Sequence, residues 1–175
     1  MVWPGLLRHV DPLDHRGIFY RACAQAFGTR PVAFVSRIVG WKVDPVLMRL
    51  TRGRLGLGLV LPTALLETRG ARTGRLRRTV LICFYDRDRV IIMASKAGAA
   101  EHPAWFHNLV AHPDVRFGGQ AFRAEVVESE SERARLWDLA DRVFPPYAAY
   151  RAHTANLGRT IPLVQLILTE RDRPR

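Results

Sequence analysis

The chain has 175 residues, of which 48% are hydrophobic and 25% are charged, and its formal net charge at pH 7 is +11. This length predicts a single domain, and this composition excludes an intrinsically disordered chain, which would contain fewer apolar residues. Because Lys42 and Lys96 are the only lysines, arginine carries almost all of the positive charge. The bias fits an anionic ligand, a nucleic acid or an anionic membrane surface as partner, and equally a GC-rich genome that favours arginine codons.

Cysteine content and hydropathy indicate the cellular location. Cys23 and Cys83 are too few and too far apart for a disulfide framework, so a reducing cytoplasm is expected. The longest apolar stretch, residues 55–66, is broken by two glycines and a proline and is shorter than the roughly 20 residues of a membrane span. The first residues lack the continuous apolar core of a signal peptide. We therefore predict a cytoplasmic protein.

Residues 1–60 are predicted to form a variable N-terminal arm with helices that pack on the following domain. A short helix is predicted to begin at Asp44-Pro45, an N-cap residue followed by proline. A helix that covers one end of the domain is favoured over an amphipathic arm that lies on a membrane or on a partner subunit. An arm that lies on a membrane would make the protein membrane-associated.

The strand signals begin shortly after this arm. Strands are predicted over residues 64–69, 76–86, 89–95, 115–117, 120–128 and 162–170. The first three form a meander that begins with a hairpin around a glycine-bounded turn. The next two form a second hairpin, in which Phe122, Ala124 and Val126 share one face. Pro162 lies near the start of the last strand, and the tail beyond that strand is predicted to fray.

Helices separate these strands. Pro103 is expected in the first turn of one helix, and residues 130–143 predict a second, amphipathic helix. Its buried face is expected to carry Leu136, Leu139 and Val143. A shorter helix is predicted after the Pro145-Pro146 pair. About six antiparallel strands with inserted helices predict an α+β fold, a mainly antiparallel split β-barrel over residues 61–175.

A cluster of arginines surrounds the turn of the first hairpin. Its members are Arg69, Arg72, Arg75, Arg77 and Arg78. Their guanidinium groups, the amides of a glycine-rich turn and the Thr73 hydroxyl are suited to bind phosphate or carboxylate oxygens. A solvated hairpin tip has the same composition.

Two further features follow along the chain. Ser95, Lys96, Ala97 and Gly98 come between a strand and a helix N-terminus, where small residues let an anionic ligand approach, although a plain connection fits equally. Aromatic residues follow on the helices: Trp105, Phe106, Phe144, Tyr147 and Tyr150. They fit a flat pocket for a ring-shaped ligand, or ordinary core.

The sequence lacks the motifs of metal sites, of common nucleotide-binding loops and of hydrolases. His102, His107 and His112 lie five residues apart, which does not place them on one helical face, so no metal site is predicted. The sequence has neither of the two commonest nucleotide-binding loops, and no nucleophile elbow that would support hydrolysis.

The chain resembles the deazaflavin-dependent nitroreductase family in five successive segments: LLETRGARTGRLRRTVL, VIIMASKAG, HPAWFHNLVAHPDV, FPPYAAYRAHT and RTIPLVQL. The resemblance extends from Ala64 to Thr169, and residues 1–60 match only loosely. It implies a split β-barrel oxidoreductase that uses reduced coenzyme F-420, an 8-hydroxy-5-deazaflavin, as its hydride donor.

The resemblance also implies which residues bind the cofactor. The residues that match are Arg72, Thr73, Arg77, Arg78, Thr79, Ser95, Lys96, Ala97, Gly98, Ala104, Trp105, Phe106, Asn108 and Tyr147. By the same resemblance the arginine loop holds the phosphate and oligoglutamate tail, Tyr147 lies over the deazaflavin as the catalytic hydrogen-bond donor, and Phe144 and Tyr150 face the substrate. Arg72 stands where some relatives carry lysine, and Phe144 stands where members that reduce nitroaromatic drugs carry tyrosine.

The implied hydride acceptor is a small hydrophobic molecule such as a quinone, an enone or a nitro compound. No nucleic-acid partner is expected, because the arginines cluster at one loop rather than along an aromatic-lined groove. A homodimer and peripheral membrane contact through the N-terminal segment both remain open. Two rival functions also remain: an FMN-binding split-barrel oxidoreductase, and a non-enzymatic protein that binds an anionic ligand, a nucleic acid or a membrane surface.

Overall fold

The computed structural model describes residues 62–169. The helix predicted at Asp44-Pro45, the rest of the N-terminal arm and the charged tail lie outside the described residues. The division of the chain into an arm and a barrel domain therefore stays a prediction.

Six strands and three α-helices make up the described part. The strands are β1 (Thr63–Arg69), β2 (Leu76–Asp86), β3 (Arg89–Met93), β4 (Asp114–Phe117), β5 (Gln120–Val126) and β6 (Leu163–Leu168). The helices are α1 (Ala104–Ala111), α2 (Glu130–Val143) and α3 (Pro146–Asn156), with a short 3-10 helix at Lys96–Gly98. These elements agree with the predicted order and type.

The strands close into an antiparallel barrel in the order β1-β2-β3-β6-β5-β4, with β4 pairing back onto β1. This topology confirms the predicted barrel. Strand β6 is the last in the chain but lies between β3 and β5. Pro162 just precedes it, so the ladder loses no N–H donor, and the Pro162 carbonyl accepts a 3.0 Å hydrogen bond from the Ala94 amide.

Inward-facing side chains of all six strands fill the barrel. Leu66, Phe117 and Phe122 are fully buried in this inner core, and Trp105 and Leu109 of α1 pack into the same cluster. Small barrels are filled by their own side chains in this way. A flat ligand must consequently bind against the outside or an end of the barrel.

A second, outer core lies between the barrel and helices α2 and α3. Phe84 and Ile91 on the outer face of the sheet pack in one cluster with Leu136 and Trp137 of α2. Strand β2 is therefore buried on both faces in its second half. This explains the continuous apolar run at its end, which is typical of strands covered on two sides.

Local details differ from the sequence-based expectations at two places. Val126 is 37% exposed rather than buried with Phe122 and Ala124. Strand β5 ends there, and the buried residue is Val127, whose amide donates a 3.0 Å hydrogen bond to the Leu163 carbonyl. Pro103 does not lie in the first turn of α1 but is its N-cap residue, with an extended backbone.

Candidate active site

The turn between β1 and β2 is tightly organised by its own backbone. The Gly70 amide donates to the Arg75 carbonyl at 2.9 Å, and the Gly74 amide donates to the Gly70 carbonyl at 2.8 Å. Gly74 has a φ of 64°, which favours glycine. A Cβ atom at Gly70 would come within 3.0 Å of the Thr73 hydroxyl oxygen. The turn therefore holds Thr73 close to the backbone.

Most of the hairpin arginines are exposed cations without a local counter-ion. Arg78 is ion-paired, with 2.6 Å between its Nε and the Glu67 Oε1 atom. No carboxylate within residues 62–169 forms an ion pair with the other four, which are Arg69, Arg72, Arg75 and Arg77. Thr79, further along β2, is half-buried and lies opposite Leu66. The tip of the hairpin thus concentrates positive charge that an external anion can neutralise.

Helix α1 is fastened to this hairpin by one side chain. The Asn108 Oδ1 atom accepts a 3.0 Å hydrogen bond from the Ala71 amide, and its Nδ2 donates at 3.2 Å to the Thr68 hydroxyl. Asn108 and Thr68 are both buried. Asn108 therefore fixes where the arginine-bearing turn stands relative to the helix.

The segment after β3 has an unusual backbone. Lys96 and Ala97 both have a φ of 50°, and Gly98 has a φ of 77°. A non-glycine residue held in a sparsely populated region costs of order 1–3 kcal/mol and persists only where its surroundings impose it. Hydrogen bonds from the Gly98 amide to the Ser95 carbonyl and from the Ala99 amide to the Lys96 carbonyl, both 3.1 Å, close the loop.

A buried arginine that the sequence did not single out braces this loop. Arg159 Nη1 donates to the Ser95 carbonyl at 3.2 Å and to the Ala99 carbonyl, and Nη2 donates to the Ala94 carbonyl. Its Nε donates at 3.1 Å to His102 Nδ1. The available sequence signal was its place in the segment RTIPLVQL, where it is one arginine among many in a basic chain.

The loop also contacts helix α3. A Cβ atom on Gly98 would lie 3.5 Å from the Cα and Cδ1 atoms of Tyr150, so glycine permits the close approach. Tyr150 is half-buried. Burial raises the pKa of its phenol, which therefore stays protonated at neutral pH.

The remaining predicted aromatic residues belong to the outer core. Tyr147 is only 3% exposed, and its ring makes edge contacts with Trp137, Phe144 and Tyr150 at centroid distances of 6.0, 5.0 and 6.2 Å. Phe144 is also buried. The predicted positions of Tyr147 over the cofactor and of Phe144 beside the substrate stay predictions.

Helix α1 presents its predicted residues on different sides. Ala104 is exposed, Trp105 and Asn108 are buried, and Phe106 is half-buried against the His102 ring at 5.2 Å between centroids. Burial, together with the charge of Arg159 and the proximity of His107, lowers the pKa of His102. His102 is therefore neutral at pH 7 and accepts from Arg159 through Nδ1.

These contacts link several of the predicted cofactor residues through α1 and Arg159. Asn108 connects the arginine turn to α1, His102 connects the start of α1 to Arg159, and Arg159 connects to the loop that touches Tyr150. Lys96 lies in that loop and forms a 3.1 Å ion pair with the exposed Glu101. Such exposed pairs contribute little, so a stronger anion can displace Glu101.

Within residues 62–169, no group of three or more His, Cys, Asp or Glu side chains is arranged to hold a metal ion. None of the helices in that range is long and apolar enough to cross a membrane.

Comparison with known proteins identifies one family and several relatives that cover most of the barrel region. The profile of the F420H(2)-dependent quinone reductase family matches residues 42–167. The F420H(2)-dependent quinone reductase Rv1261c of Mycobacterium tuberculosis is 36% identical over 140 residues, which are 74% of this chain and 89% of that relative.

Two solved structures are also similar. An F420-H2 dependent reductase, FDR-A, has a TM-score of 0.53 and 34% identity, covering 60% of this chain and 93% of that one. A second structure, described as a domain-swapped dimer, has a TM-score of 0.55 and 31% identity, covering 71% of this chain and 96% of that one.

The closed antiparallel barrel and the similar solved structure place the chain in the class of F420-dependent barrel reductases. Within that class, the chain belongs to the F420H(2)-dependent quinone reductase family. The predicted F-420-dependent oxidoreductase is thereby confirmed, and FMN is not supported as cofactor. The rival interpretation as a non-enzymatic anion, nucleic-acid or membrane binder is not favoured.

Proposed function

We propose that this chain reduces a quinone with a hydride from reduced F-420, at the surface that runs from the arginine turn to the loop beside Tyr150. The observation that carries the proposal is the series of contacts that connects the two ends, from Asn108 along α1 to Arg159 and the loop. One end offers exposed cations without local counter-ions, and the other offers a small-residue loop and a protonated phenol. An elongated cofactor with an anionic tail and a flat ring matches both ends.

The arginine turn would hold the tail. Arg72 in the turn and Arg77 in β2 are exposed and make no ion pair with a carboxylate of residues 62–169, and Thr73 follows Arg72 in the turn. Guanidinium groups bind phosphate and carboxylate oxygens in a forked geometry that lysine does not offer. The turn therefore selects a cofactor with several negative charges over a neutral one.

The loop and α3 would organise the reacting end. When bound, reduced F-420 supplies the hydride. Ser95 is small and partly exposed, so a ring can approach the loop there, and Lys96 adds a cation that can leave Glu101 for the ligand. The protein's task there is to place the acceptor in contact with the ring and to exclude water.

Tyr150 and Tyr147 are both candidates for the hydrogen bond to the quinone oxygen. The resemblance assigns that bond to Tyr147, whereas Tyr150 is the more exposed of the two and touches the loop. Separate Tyr147→Phe and Tyr150→Phe variants distinguish them. The phenol that serves the reaction is the one whose loss lowers kcat for quinone reduction while F-420 affinity is retained.

Assembly as a homodimer is a further part of the proposal. It is supported by the related chain described as a domain-swapped dimer. Light scattering of the purified protein tests it, because a monomeric mass at micromolar concentration would contradict it. Membrane contact through the N-terminal segment stays a prediction, since that segment lies outside the described residues.

Titration with F-420 tests the role of the arginine turn. Arg72→Ala and Arg77→Ala are each expected to raise the Kd for F-420 by about 10-fold or more, because a charge-assisted hydrogen bond contributes about 1.5–3 kcal/mol. Arg142→Ala removes one exposed arginine of α2 and is the matched control, with unchanged Kd expected.

A shortened deazaflavin without phosphate or glutamates sharpens this test. It should bind wild type and both hairpin variants equally, because it has no tail to contact the turn. If the two variants lost equal affinity for F-420 and for the shortened deazaflavin, Arg72 and Arg77 would not contact the tail, and the proposal would be contradicted.

A further inference from the structure

Within the described residues, the four hydrogen bonds of the buried Arg159 side chain all end on neutral acceptors. It is 7% exposed, and its partners are the carbonyls of Ala94, Ser95 and Ala99 and the imidazole Nδ1 of His102. No carboxylate within residues 62–169 forms an ion pair with it. Burial lowers the pKa of Arg159, but a guanidinium remains charged at neutral pH.

A buried charge without a partner of opposite sign is unfavourable unless its hydrogen bonds are satisfied. An apolar residue would avoid this penalty if Arg159 served only to fill space before β6. The fork of the guanidinium is used instead to join chain segments that are distant in sequence. The 3-10 turn, the start of α1 and the segment before β6 meet at this one group.

The acceptors of Arg159 bracket the strained part of the loop. The Ala94 and Ser95 carbonyls precede the left-handed residues Lys96 and Ala97, and the Ala99 carbonyl follows them. A planar fork with fixed donor positions can hold both ends of such a turn at once. The ammonium of a lysine carries its donors on one atom and cannot span the same carbonyls.

We infer that Arg159 is a positioning residue of the cofactor cleft, which imposes the left-handed backbone at Lys96 and Ala97 without touching the cofactor. The inference rests on the proposed function only in that the loop lines the F-420 site. Its buried charge also makes the loop electropositive, which favours an anionic ligand on the solvent side.

Hydrogen exchange of the unliganded protein, together with F-420 titration, tests this role. Arg159→Lys keeps the charge and Arg159→Gln removes it, and both variants lack the planar guanidinium group. In each, exchange at the Gly98 and Ala99 amides should accelerate by roughly 10-fold or more, because their hydrogen bonds close the braced turn. The Kd for F-420 should rise in parallel, and lysine should not rescue it.

Arg89→Lys is the matched control for a general loss of stability. Arg89 is a partly buried, multiply hydrogen-bonded arginine at the opposite end of β3. This variant should lower the melting temperature while leaving exchange at Gly98 and Ala99 and the Kd for F-420 unchanged.

The outcomes separate this inference from the proposed function. Weaker F-420 binding with unchanged loop exchange would mean that Arg159 touches the cofactor, and would overturn the inference, as would no change in either. Faster loop exchange and weaker F-420 binding in a protein that reduces no quinone would leave the inference standing and refute quinone reduction.

Gly98→Ala keeps the test decisive if the Arg159 variants do not fold. It perturbs the same loop independently, since alanine is strained at a φ of 77°. Faster exchange at Ala99 with weaker F-420 binding is expected. Faster exchange with unchanged binding would overturn the inference.

Discussion

Asn108 shows how one side chain can place a binding loop without lying at its tip. Its amide satisfies the Ala71 N–H and the Thr68 hydroxyl, both of which lie on the hairpin that carries the arginines. The sequence marked Asn108 only through the family resemblance, because the two hydrogen bonds join residues about 40 positions apart. Its predicted contact with the cofactor stays a prediction beside this positioning role.

Asn108→Ala is expected to destabilise the fold by about 1–3 kcal/mol, because the buried Thr68 hydroxyl and the partly buried Ala71 amide lose their partner. It should also raise the Kd for F-420, since the arginine turn loses its anchor. Urea unfolding and F-420 titration measure the two effects. Thr68→Val removes only the Nδ2 bond and keeps the Ala71 anchor, so it should lower stability with little effect on the Kd. Equal Kd effects in both variants would contradict the anchoring role.

At the scale of elements, four charged residues fasten α2 to the β2–β3 turn. Arg135 donates to Asp86 at 3.0 and 2.7 Å and to Glu132 at 2.8 Å, and Arg89 donates to both carboxylates. Burial alone would raise the pKa of Asp86, but the hydrogen bonds from Arg135 and Arg89 outweigh it and the pKa is lowered. Hydrogen bonds from Arg135 and Arg89, against a smaller effect of burial, lower the pKa of Glu132 to about 2.

Glu132→Gln should destabilise the protein in a pH-dependent way. The folded-state pKa of about 2 lies below the ordinary value of 4.5, so the stabilisation is fully present above pH 4.5 and disappears as the pH falls towards 2. Urea unfolding should therefore give the variant a lower free energy of unfolding than wild type at pH 7. The difference should disappear between pH 4.5 and about pH 2. Glu130→Gln, an exposed carboxylate in the same turn, is the control. A gap that persists below pH 2 would show that ionisation of Glu132 is not its cause.

At the scale of the whole described part, residues 62–169 form one barrel with an inner core and an outer core, so this interior opens only when the barrel does. Cys83 lies in the inner core, and burial raises the pKa of its thiol to about 12. The thiolate is the reactive form of cysteine. Cys83 is therefore expected to be inert in the folded protein.

In a Cys23→Ser background, a thiol reagent at pH 8 should modify Cys83 only through the unfolded state. Urea should accelerate the reaction in step with the unfolded fraction. The fully unfolded chain, which reacts at once, is the control. Modification of the native protein at the rate of an exposed thiol would contradict a closed inner core.

The sequence predicted the elements better than it predicted their contacts. The glycine-bounded turn located the first hairpin, period-two alternation located the second, and apolar periodicity located α2, because these signals are local. The pairing of β4 with β1 and the insertion of β6 beside β3 join residues far apart in the chain. The bracing role of Arg159 depends on the same long-range closure, and no local pattern distinguishes it from a surface arginine.

The most direct test of the account is the oxidation of reduced F-420 by the naphthoquinone menadione. The reaction is monitored through the recovery of the deazaflavin absorbance. Wild-type protein is expected to turn over with reduced F-420 and not with reduced FMN, and Arg77→Ala should lower kcat/KM through weaker cofactor binding. Failure to oxidise reduced F-420 above the uncatalysed rate, or equal rates with reduced FMN, would contradict the account.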